Sequence, residues 1–358
     1  MAAKISVMSL DWFRRLRNPK LDWIQVEVSS FCNASCVYCP RTVYQDFSKS
    51  RHLSLETFER LRPLLSRTRL VHLQGWGEPL LNPDLFRMAA VAKSEGCRIT
   101  TTTNGVSFDE EAVSRVLETG FDMVAFSLAG LGDANDRTRR GTSFDRVLSA
   151  ITTLNREKGK RGREKPSIHI AYMLLRSAVD DLDKSIDTFR GCGIDQIVIS
   201  TLDFLPSESL AGEAFTDEGE LTSVEGRLEA LVERGRETGL DIHYYLGSSG
   251  LNEGYCGENV ERSFFVASDG AVSPCVYTSL PIQAGLAIEE SNALPSRRLS
   301  FGNLHEETPS AIWNRKTYKG FRRSFPSGPL HACCQGCAKL QRIPAAEELP
   351  LLDSLLVR

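Results

Sequence analysis

Short apolar runs alternate with longer amphipathic segments from residue 23 to about residue 246. The apolar runs have the length and pattern of strands, and the segments between them have the period of helices. We predict strands at 23–28, 70–75, 98–103, 123–128, 168–175 and 197–202, with a weaker strand at 241–246. Several of the intervening helical segments end on glycine, as helices commonly do.

Regular alternation of strand and helix with short connections predicts a parallel sheet and an α/β fold. Six such units are too many for one small βαβ module and too few for a complete eightfold barrel. The pattern alone leaves a doubly wound sheet open as well.

The pattern changes after residue 256. The segment FFVASDGAVSPC places two short apolar runs around Asp269-Gly270, a dipeptide that predicts a two-residue hairpin turn. A basic helical segment, SAIWNRKTYKGFRRSF, and the motif HACCQGC follow, and the tail EELPLLDSLL has the pattern of a short amphipathic helix. We therefore divide the chain into a lead-in (1–21), an α/β domain (22–246), a small cysteine-rich domain (247–340) and a tail (341–358).

Composition indicates an ordinary globular protein. Of 358 residues, 41% are hydrophobic and 25% are charged, and the formal net charge is −3. This charge gives no reason to expect nucleic acid or an anionic membrane as a partner. No apolar run reaches the length of a membrane span, and the start of the chain lacks the apolar core of a signal peptide. We expect a cytoplasmic protein.

Cysteine is the residue type that points to chemistry, since the chain has ten. Disulfides are disfavoured in the cytoplasm, so clustered cysteines there more often bind metal. Cys97 and Cys192 are isolated, and we interpret both as small buried residues. The other eight form one group near the start and one near the end, which predicts two separate metal centres.

The first group is Cys32, Cys36 and Cys39, with the spacing C-x3-C-x2-C directly after the first predicted strand. Active sites of parallel α/β proteins gather at that end of the strands. A structural zinc site normally has four protein ligands. A cubane iron–sulfur cluster has four irons, so three cysteines leave one iron open for a substrate or a cofactor.

Cys32, Cys36, Tyr38 and Cys39 match C-x3-C-x-aromatic-C, and in this the chain resembles the radical S-adenosylmethionine (radical SAM) enzymes. The resemblance implies a [4Fe-4S] cluster whose open iron binds S-adenosylmethionine. It also implies reductive cleavage of that cofactor to a 5′-deoxyadenosyl radical, with a flavodoxin- or ferredoxin-type protein as electron donor. The implied fold is a partial (β/α)6 TIM-like barrel.

Further motifs follow successive predicted strands in the order that this family shows. GWGEP resembles the family's Gly-Gly-Glu-Pro turn, with Trp76 in place of the first glycine. TTTNG, SLAG and RRG resemble later cofactor-binding positions. The resemblance implies that the following residues bind S-adenosylmethionine: Tyr38, Trp76, Gly77, Glu78, Asn104, Ser127 and Arg140.

The second cysteine group alone fits either a zinc ribbon or an iron–sulfur cluster. The order of Cys256, SDGAVSPC, Gly-Asn-Leu, Ile-Trp and C-x2-C resembles the SPASM/twitch domains of radical SAM enzymes. This implies one auxiliary [4Fe-4S] cluster with four ligands: Cys256, Cys275, Cys334 and Cys337. We prefer Cys334 to Cys333 because C-x2-C suits two ligands on one tight turn.

SPASM/twitch enzymes modify peptide or protein side chains, or oxidise small molecules such as sugar alcohols. We expect peptide modification by a maturase-type enzyme, with small-molecule oxidation as the alternative. A non-enzymatic iron–sulfur or zinc protein is the alternative from a different class. Radical oxidation needs a base for the departing proton. Asp203, after the sixth strand, is our candidate. His169 and Tyr172 on the fifth strand point to opposite faces, so at most one faces the lumen, and His243 and Tyr244 lie on the last strand; we favour a structural role over a catalytic one for each.

Overall fold

The computed structural model describes residues 20–44, 50–202, 205–215, 217–246, 255–280, 298–335, 337 and 339–341. The predicted helix in the tail and most of the lead-in lie outside these ranges. The strands are β1 (Leu21–Val26), β2 (Ser35–Cys36), β3 (Thr68–Leu73), β4 (Arg98–Thr103), β5 (Met123–Leu128), β6 (Arg139–Arg140), β7 (Ser167–Met173), β8 (Gln196–Ser200), β9 (Asp241–Tyr245), β10 (Tyr255–Cys256), β11 (Ser263–Val266), β12 (Ala271–Ser273), β13 (Gly302–Asn303) and β14 (Leu340–Gln341).

The helices mostly connect successive parallel strands. They are α1 (Pro40–Val43), α2 (Leu55–Glu59), α3 (Arg62–Leu65), α4 (Leu85–Ser94), α5 (Glu110–Thr119), α6 (Asp133–Thr138), α7 (Phe144–Lys160), α8 (Leu182–Phe189), α9 (Glu218–Thr238), α10 (Pro309–Asn314) and α11 (Lys316–Ser327). Short 3₁₀ helices lie at Pro79–Leu81, Arg176–Asp181, Glu208–Glu213, Tyr277–Ser279 and Ala332–Cys334.

One sheet runs through both parts of the chain. Its order is β13-β12-β11-β1-β3-β4-β5-β7-β8-β9, and the seven strands from β1 to β9 in this order are parallel. The prediction of a partial TIM-like barrel is confirmed. Six helical connections join seven strands, and the weak seventh strand predicted from the sequence is present as β9.

The two faces of the parallel strands differ in chemistry because side chains alternate along a strand. The face toward the helices is apolar and buried, as shown by Ile24, Val71 and Ile99, which are inaccessible to solvent. The opposite face, which lines the barrel lumen, carries polar residues such as His72 and Thr100, paired side by side in the β3–β4 register. The core therefore lies between sheet and helices, and the lumen is left polar.

The cysteine-rich part extends the barrel sheet. Strand β11 pairs in parallel with β1, and β12 returns antiparallel to it. The hairpin is closed by the Ala267 amide, which donates to the Ala271 carbonyl at 2.9 Å. This leaves three residues in the loop rather than the predicted two, because Gly270 adopts a φ of 80° and ends a type I turn as a bulge.

Within the described ranges, no helix is long and apolar enough to cross a membrane.

Candidate active site

The first cysteine group lies in one compact loop after β1. Cys36 belongs to β2, which pairs with β6 so that Cys36 stands opposite Arg139. The Ala34 amide donates to the Cys32 sulfur at 3.4 Å, and the Cys39 amide donates to the Cys36 carbonyl at 3.1 Å. Helix α1 begins immediately after Cys39. These contacts fix the loop backbone at the carboxyl edge of the sheet.

Two thiols of this loop, those of Cys32 and Cys39, are in an environment that opposes ionisation unless a cation is present. Burial raises the pKa of Cys32, and it raises the pKa of Cys39 to about 12, with the neighbouring thiols adding to both shifts. Iron ions supply the positive charge that makes three adjacent thiolates favourable. The donor set therefore fits a [4Fe-4S] cluster bound by three cysteines.

The buried guanidinium of Arg139 lies beside the cysteine loop. Arg139 is 6% exposed, its Nη1 donates to the Tyr38 phenolic oxygen at 2.6 Å, and its buried Nε has no hydrogen-bond partner among the described residues. Burial opposes the charge of Arg139, but Tyr38 and Cys36 outweigh it and raise the Arg139 pKa. The site therefore keeps one fixed positive charge beside the cysteines.

Arg140, which we predicted as a cofactor ligand, is exposed and stands opposite Ser35 in the β2–β6 pair. Adjacent residues of a strand point to opposite faces, so Arg139 and Arg140 cannot both face the loop interior. Arg139 was not among the residues predicted from the sequence. The signal was the strand alternation of the RR pair, which required a choice between the two arginines.

The GWGEP turn after β3 is packed directly on the cysteine loop. A Cβ atom at Gly77 would lie 2.3 Å from the Ser29 carbonyl oxygen and 2.5 Å from that of Phe31, so no side chain fits there. The Glu78 amide donates to the Phe31 carbonyl at 2.7 Å. Trp76 is half-buried between this turn and the segment after Cys275.

Glu78 joins this turn to the end of β4. Its Oε1 accepts from the Leu80 amide at 3.1 Å and the Thr103 hydroxyl at 2.8 Å, and its Oε2 accepts from the Asn104 amide at 2.7 Å. Burial raises the Glu78 pKa, and these hydrogen bonds act in the opposite direction. The carboxyl group thus ties two motifs that are far apart in sequence.

Asn104 reaches the cysteine loop itself. Its Nδ2 donates to Asn33 Oδ1 at 2.8 Å and lies 3.6 Å from the Cys32 sulfur. Its Oδ1 accepts from the Val106 amide at 2.9 Å. The structure therefore brings together the cysteine loop, the GWGEP turn and the TTTNG strand end. Ser127 lies half-buried near the end of β5, opposite Ala171 of β7.

Four cysteines of the second group lie close enough to affect one another's pKa values: Cys256, Cys275, Cys334 and Cys337. Burial raises the pKa of Cys256 to about 12, and the Cys337 charge adds to this shift. Cys275 and Cys256 both contribute to the raised pKa of Cys334, after its contact with Cys333 and its burial. The Cys337 amide donates to the Cys334 carbonyl at 3.3 Å, so these two cysteines share a tight turn.

Cys333 and Cys334 differ in their surroundings. Cys334 is 7% exposed. Cys333 is half-exposed, and its sulfur lies 3.0 Å from His331 Nδ1 and 3.7 Å from the Cys334 sulfur. The Cys334 contact and His331 lower the Cys333 pKa. Cys334 is therefore the more buried of the two thiols, and Cys333 is the one that contacts His331.

No three His, Cys, Asp or Glu side chains among the described residues converge on a point that could hold one metal ion.

The candidate bases are distributed over both faces of the sheet. Asp203 lies outside the described residues. His169 is in β7, and burial lowers its pKa to about 4, while Tyr172 points to the opposite, helix-covered face and is 2% exposed. His243 Nε2 lies 2.9 Å from Asp241 Oδ2. Tyr244 is half-buried on the other face of β9.

Two sequence profiles match the chain. That of the radical SAM superfamily matches residues 26–189, and that of the SPASM iron–sulfur cluster-binding domain matches residues 256–338. The chain therefore carries a radical SAM domain, followed after the barrel by a SPASM domain. It is therefore an enzyme that uses S-adenosylmethionine and a [4Fe-4S] cluster, with an auxiliary iron–sulfur domain, as the sequence predicted.

Two curated relatives differ in what they act on. The tungsten-containing aldehyde ferredoxin oxidoreductase cofactor-modifying protein of Pyrococcus furiosus is 22% identical over 322 residues, which cover 89% of this chain and 87% of that protein. Mycofactocin maturase MftC of Mycobacterium tuberculosis is 28% identical over 160 residues, which cover 44% of this chain and 39% of that protein.

Among solved structures, Streptococcus suis SuiB bound to precursor peptide SuiA superimposes with a TM-score of 0.64 at 15% sequence identity. The superposition covers 93% of this chain and 72% of SuiB. At this identity the likeness establishes the fold.

Proposed function

We propose that this enzyme cleaves S-adenosylmethionine reductively and uses the resulting radical to abstract hydrogen from a peptide or protein side chain. The observation that carries the cofactor chemistry is the junction of the Cys32–Cys39 loop, Glu78 and Asn104 at one edge of the sheet. The peptide class of substrate is supported by MftC, which is named a maturase, and by the shared fold with the peptide-binding SuiB.

In this proposal Cys32, Cys36 and Cys39 hold the catalytic cluster. Six residues bind and orient S-adenosylmethionine: Trp76, Gly77, Glu78, Asn104, Ser127 and Arg140. Tyr38 supports the cluster loop from within through Arg139. The bound cofactor supplies the 5′-deoxyadenosyl radical, and the protein's part is to position it and exclude water.

Four cysteines would hold the auxiliary cluster: Cys256, Cys275, Cys334 and Cys337. When bound, that cluster would accept the electron that remains after hydrogen abstraction and deprotonation, or would hold the substrate. An external flavodoxin- or ferredoxin-type protein supplies the first electron. We keep Asp203 as the candidate base for the departing proton.

A second candidate function is oxidation or modification of a small molecule. It is favoured by the Pyrococcus furiosus relative, which matches nearly the whole chain and is named for acting on a cofactor.

The experiment begins with anaerobic reconstitution, followed by dithionite and S-adenosylmethionine. Formation of 5′-deoxyadenosine tests the cofactor chemistry, and none forming with both clusters intact would refute it. Peptides encoded beside the gene and small-molecule candidates are then compared, each deuterated at its C–H positions. Deuterium in 5′-deoxyadenosine from a peptide alone supports the peptide proposal, and transfer from a small molecule alone overturns it.

A further inference from the structure

Trp76 departs from the family's glycine at this position, and its indole ring reaches the auxiliary domain. Its Nε1 donates to the Val276 carbonyl at 3.2 Å, and its ring meets that of Tyr277 edge-on with centroids 5.8 Å apart. Val276 directly follows Cys275. One side chain of the GWGEP turn therefore contacts the residues next to a proposed ligand of the second cluster.

Glu27 forms a second bridge from the other side of the same turn. Its Oε1 accepts from the Trp76 amide at 3.0 Å. Its Oε2 accepts from the Ser268 amide at 3.1 Å and from the Ser268 hydroxyl at 2.9 Å. Ser268 belongs to the β11–β12 hairpin, so the buried carboxyl group of Glu27 forms hydrogen bonds to the GWGEP turn and to the auxiliary domain.

Little space is left for these bridges to adjust. Glu27 is 4% exposed, and a Cβ atom at Gly75 would lie 2.4 Å from Glu27 Cβ. Gly77 is packed as closely on the cysteine loop. The Ser268 hydroxyl also lies 3.0 Å from the Ser30 hydroxyl, two residues before Cys32. A shift of the hairpin must therefore move the turn or break hydrogen bonds.

From this geometry we propose that S-adenosylmethionine binding and the integrity of the auxiliary centre are coupled through Trp76 and Glu27. An intact auxiliary centre fixes the segment after Cys275 and the hairpin, and these hold the GWGEP turn in the shape that binds the cofactor. Glu27 is a positioning residue, and the indole ring of Trp76 positions the turn through which Trp76 itself is proposed to bind the cofactor. The inference rests on the proposed cofactor-binding role of this turn, and it holds whether the substrate is a peptide or a small molecule.

The test measures the Kd of radiolabelled S-adenosylmethionine by anaerobic equilibrium dialysis of the full chain with both clusters reconstituted. Trp76→Phe keeps a ring against Tyr277 but removes the indole N–H, and we expect the Kd to rise about three- to tenfold, the value of one hydrogen bond. Trp23→Phe, the same exchange inside β1, should leave the Kd unchanged.

Two serines of the hairpin give a second matched pair. Ser268→Ala removes the hydroxyl that donates to Glu27 and contacts Ser30, and leaves the backbone amide donor in place. It should raise the Kd although Ser268 lies in the other domain. Ser273 is fully buried, and its hydroxyl has no hydrogen-bond partner among the described residues, so Ser273→Ala should leave the Kd unchanged.

Coupling itself is measured by a double-mutant cycle. Cys256→Ala, which removes an auxiliary ligand, should raise the Kd at least about threefold in the parent chain, and clearly less when combined with Trp76→Phe. Equal effects in both backgrounds, or no effect of Cys256→Ala in either, would overturn the proposal. Iron analysis verifies that the catalytic cluster remains in each variant.

Gly77→Ala separates failure of the proposed coupling from failure of the proposed role of the GWGEP turn in cofactor binding. If Gly77→Ala raises the Kd while Trp76→Phe and Ser268→Ala do not, the turn binds the cofactor and the coupling is wrong. If Gly77→Ala has no effect either, the assigned role of the turn is wrong, and the coupling is rejected with it.

Discussion

Arg139 Nη1 donates a 2.6 Å hydrogen bond to the Tyr38 phenolic oxygen, which joins two residues 101 positions apart. Tyr38 is the aromatic residue of the cysteine motif, and Arg139 stands opposite Cys36 in the β2–β6 pair. The aromatic position therefore anchors a buried cation next to the cysteine loop. The motif's aromatic residue has a structural task here as well as any contact with the cofactor.

Replacing Arg139 by methionine tests this arrangement. Arg139→Met removes the fixed charge and leaves the Tyr38 hydroxyl without its donor. We expect weaker retention of the catalytic cluster and a midpoint potential lower by on the order of 50–100 mV, the effect of one unit charge several ångströms from the ligands. Redox titration followed by EPR gives the potential, and iron analysis gives the occupancy.

Arg140→Met is the control for charge, because Arg140 is exposed. It should leave the potential nearly unchanged. If Arg140 binds the cofactor carboxylate as the sequence predicts, this variant should instead raise the Kd of S-adenosylmethionine. Equal shifts of potential in both variants would contradict the role that we give to Arg139.

A glycine after the two arginines allows close approach to the cysteine loop. Gly141 has a φ of 87°, and a Cβ atom there would lie 2.9 Å from the Asn33 carbonyl oxygen. Gly141→Ala should destabilise the protein by about 1–3 kcal/mol and reduce the yield of the catalytic cluster. The measurements are chemical unfolding under anaerobic conditions and iron content.

Gly162→Ala separates backbone strain from the close contact. Gly162 also has a positive φ, of 60°, but a Cβ atom there would meet no atom within 4 Å beyond its chain neighbours. We expect this substitution to lower the free energy of unfolding by roughly 1 kcal/mol. The iron content should stay that of the parent chain. Loss of iron in Gly162→Ala equal to that in Gly141→Ala would show that the contact with Asn33 is unimportant.

The sequence was sufficient for the features whose signal is local. The C-x3-C-x2-C spacing, the strand–helix alternation and the glycines at helix ends each lie within a few residues. Ser54 is an example of such a local contact: it directly precedes α2, and its hydroxyl accepts from the Thr57 amide at 3.1 Å. The predicted hairpin length was wrong because Asp269-Gly270 also fits a three-residue loop when the glycine forms a bulge.

The features that were missed depend on partners distant in sequence. Trp76 is visible in the sequence as a departure from the family, but its contact with Val276 spans 200 positions. Glu27 is the one charged residue of the predicted strand WIQVEV, which is a usable signal for a buried polar contact. Its partners Trp76 and Ser268 could not be identified, because no local pattern specifies them.

The auxiliary ligand set is tested by replacing each of the adjacent cysteines. Cys333→Ala should retain both clusters, with about eight irons per chain, and Cys334→Ala should lose the auxiliary cluster and retain about four. The reason is that Cys334 is buried among the other thiols, while Cys333 faces His331. Iron and sulfide analysis decides, and eight irons in Cys334→Ala would reverse the assignment.

The buried imidazole of His72 should make the stability of the protein increase with pH. It lies on the lumen face with Nδ1 2.8 Å from Thr100 Oγ1, and burial lowers its pKa from 6.5 to about 4. Between these values the unfolded chain binds a proton that the folded chain does not, so stability rises with pH across this window. Between pH 5 and pH 7.5 this contribution is roughly 1–2 kcal/mol.

His72→Gln should therefore lose less stability than the parent chain when the pH is lowered from 7.5 to 5.5. The measurement is the Tm of the reconstituted protein at several pH values. His305→Gln, at an exposed position, is the matched control and should keep the parent's pH dependence. If the two variants have the same slope of Tm against pH, His72 does not carry a lowered pKa. A flatter slope for His72→Gln alone would establish a neutral imidazole in the lumen at physiological pH, available as a hydrogen-bonding group for substrate.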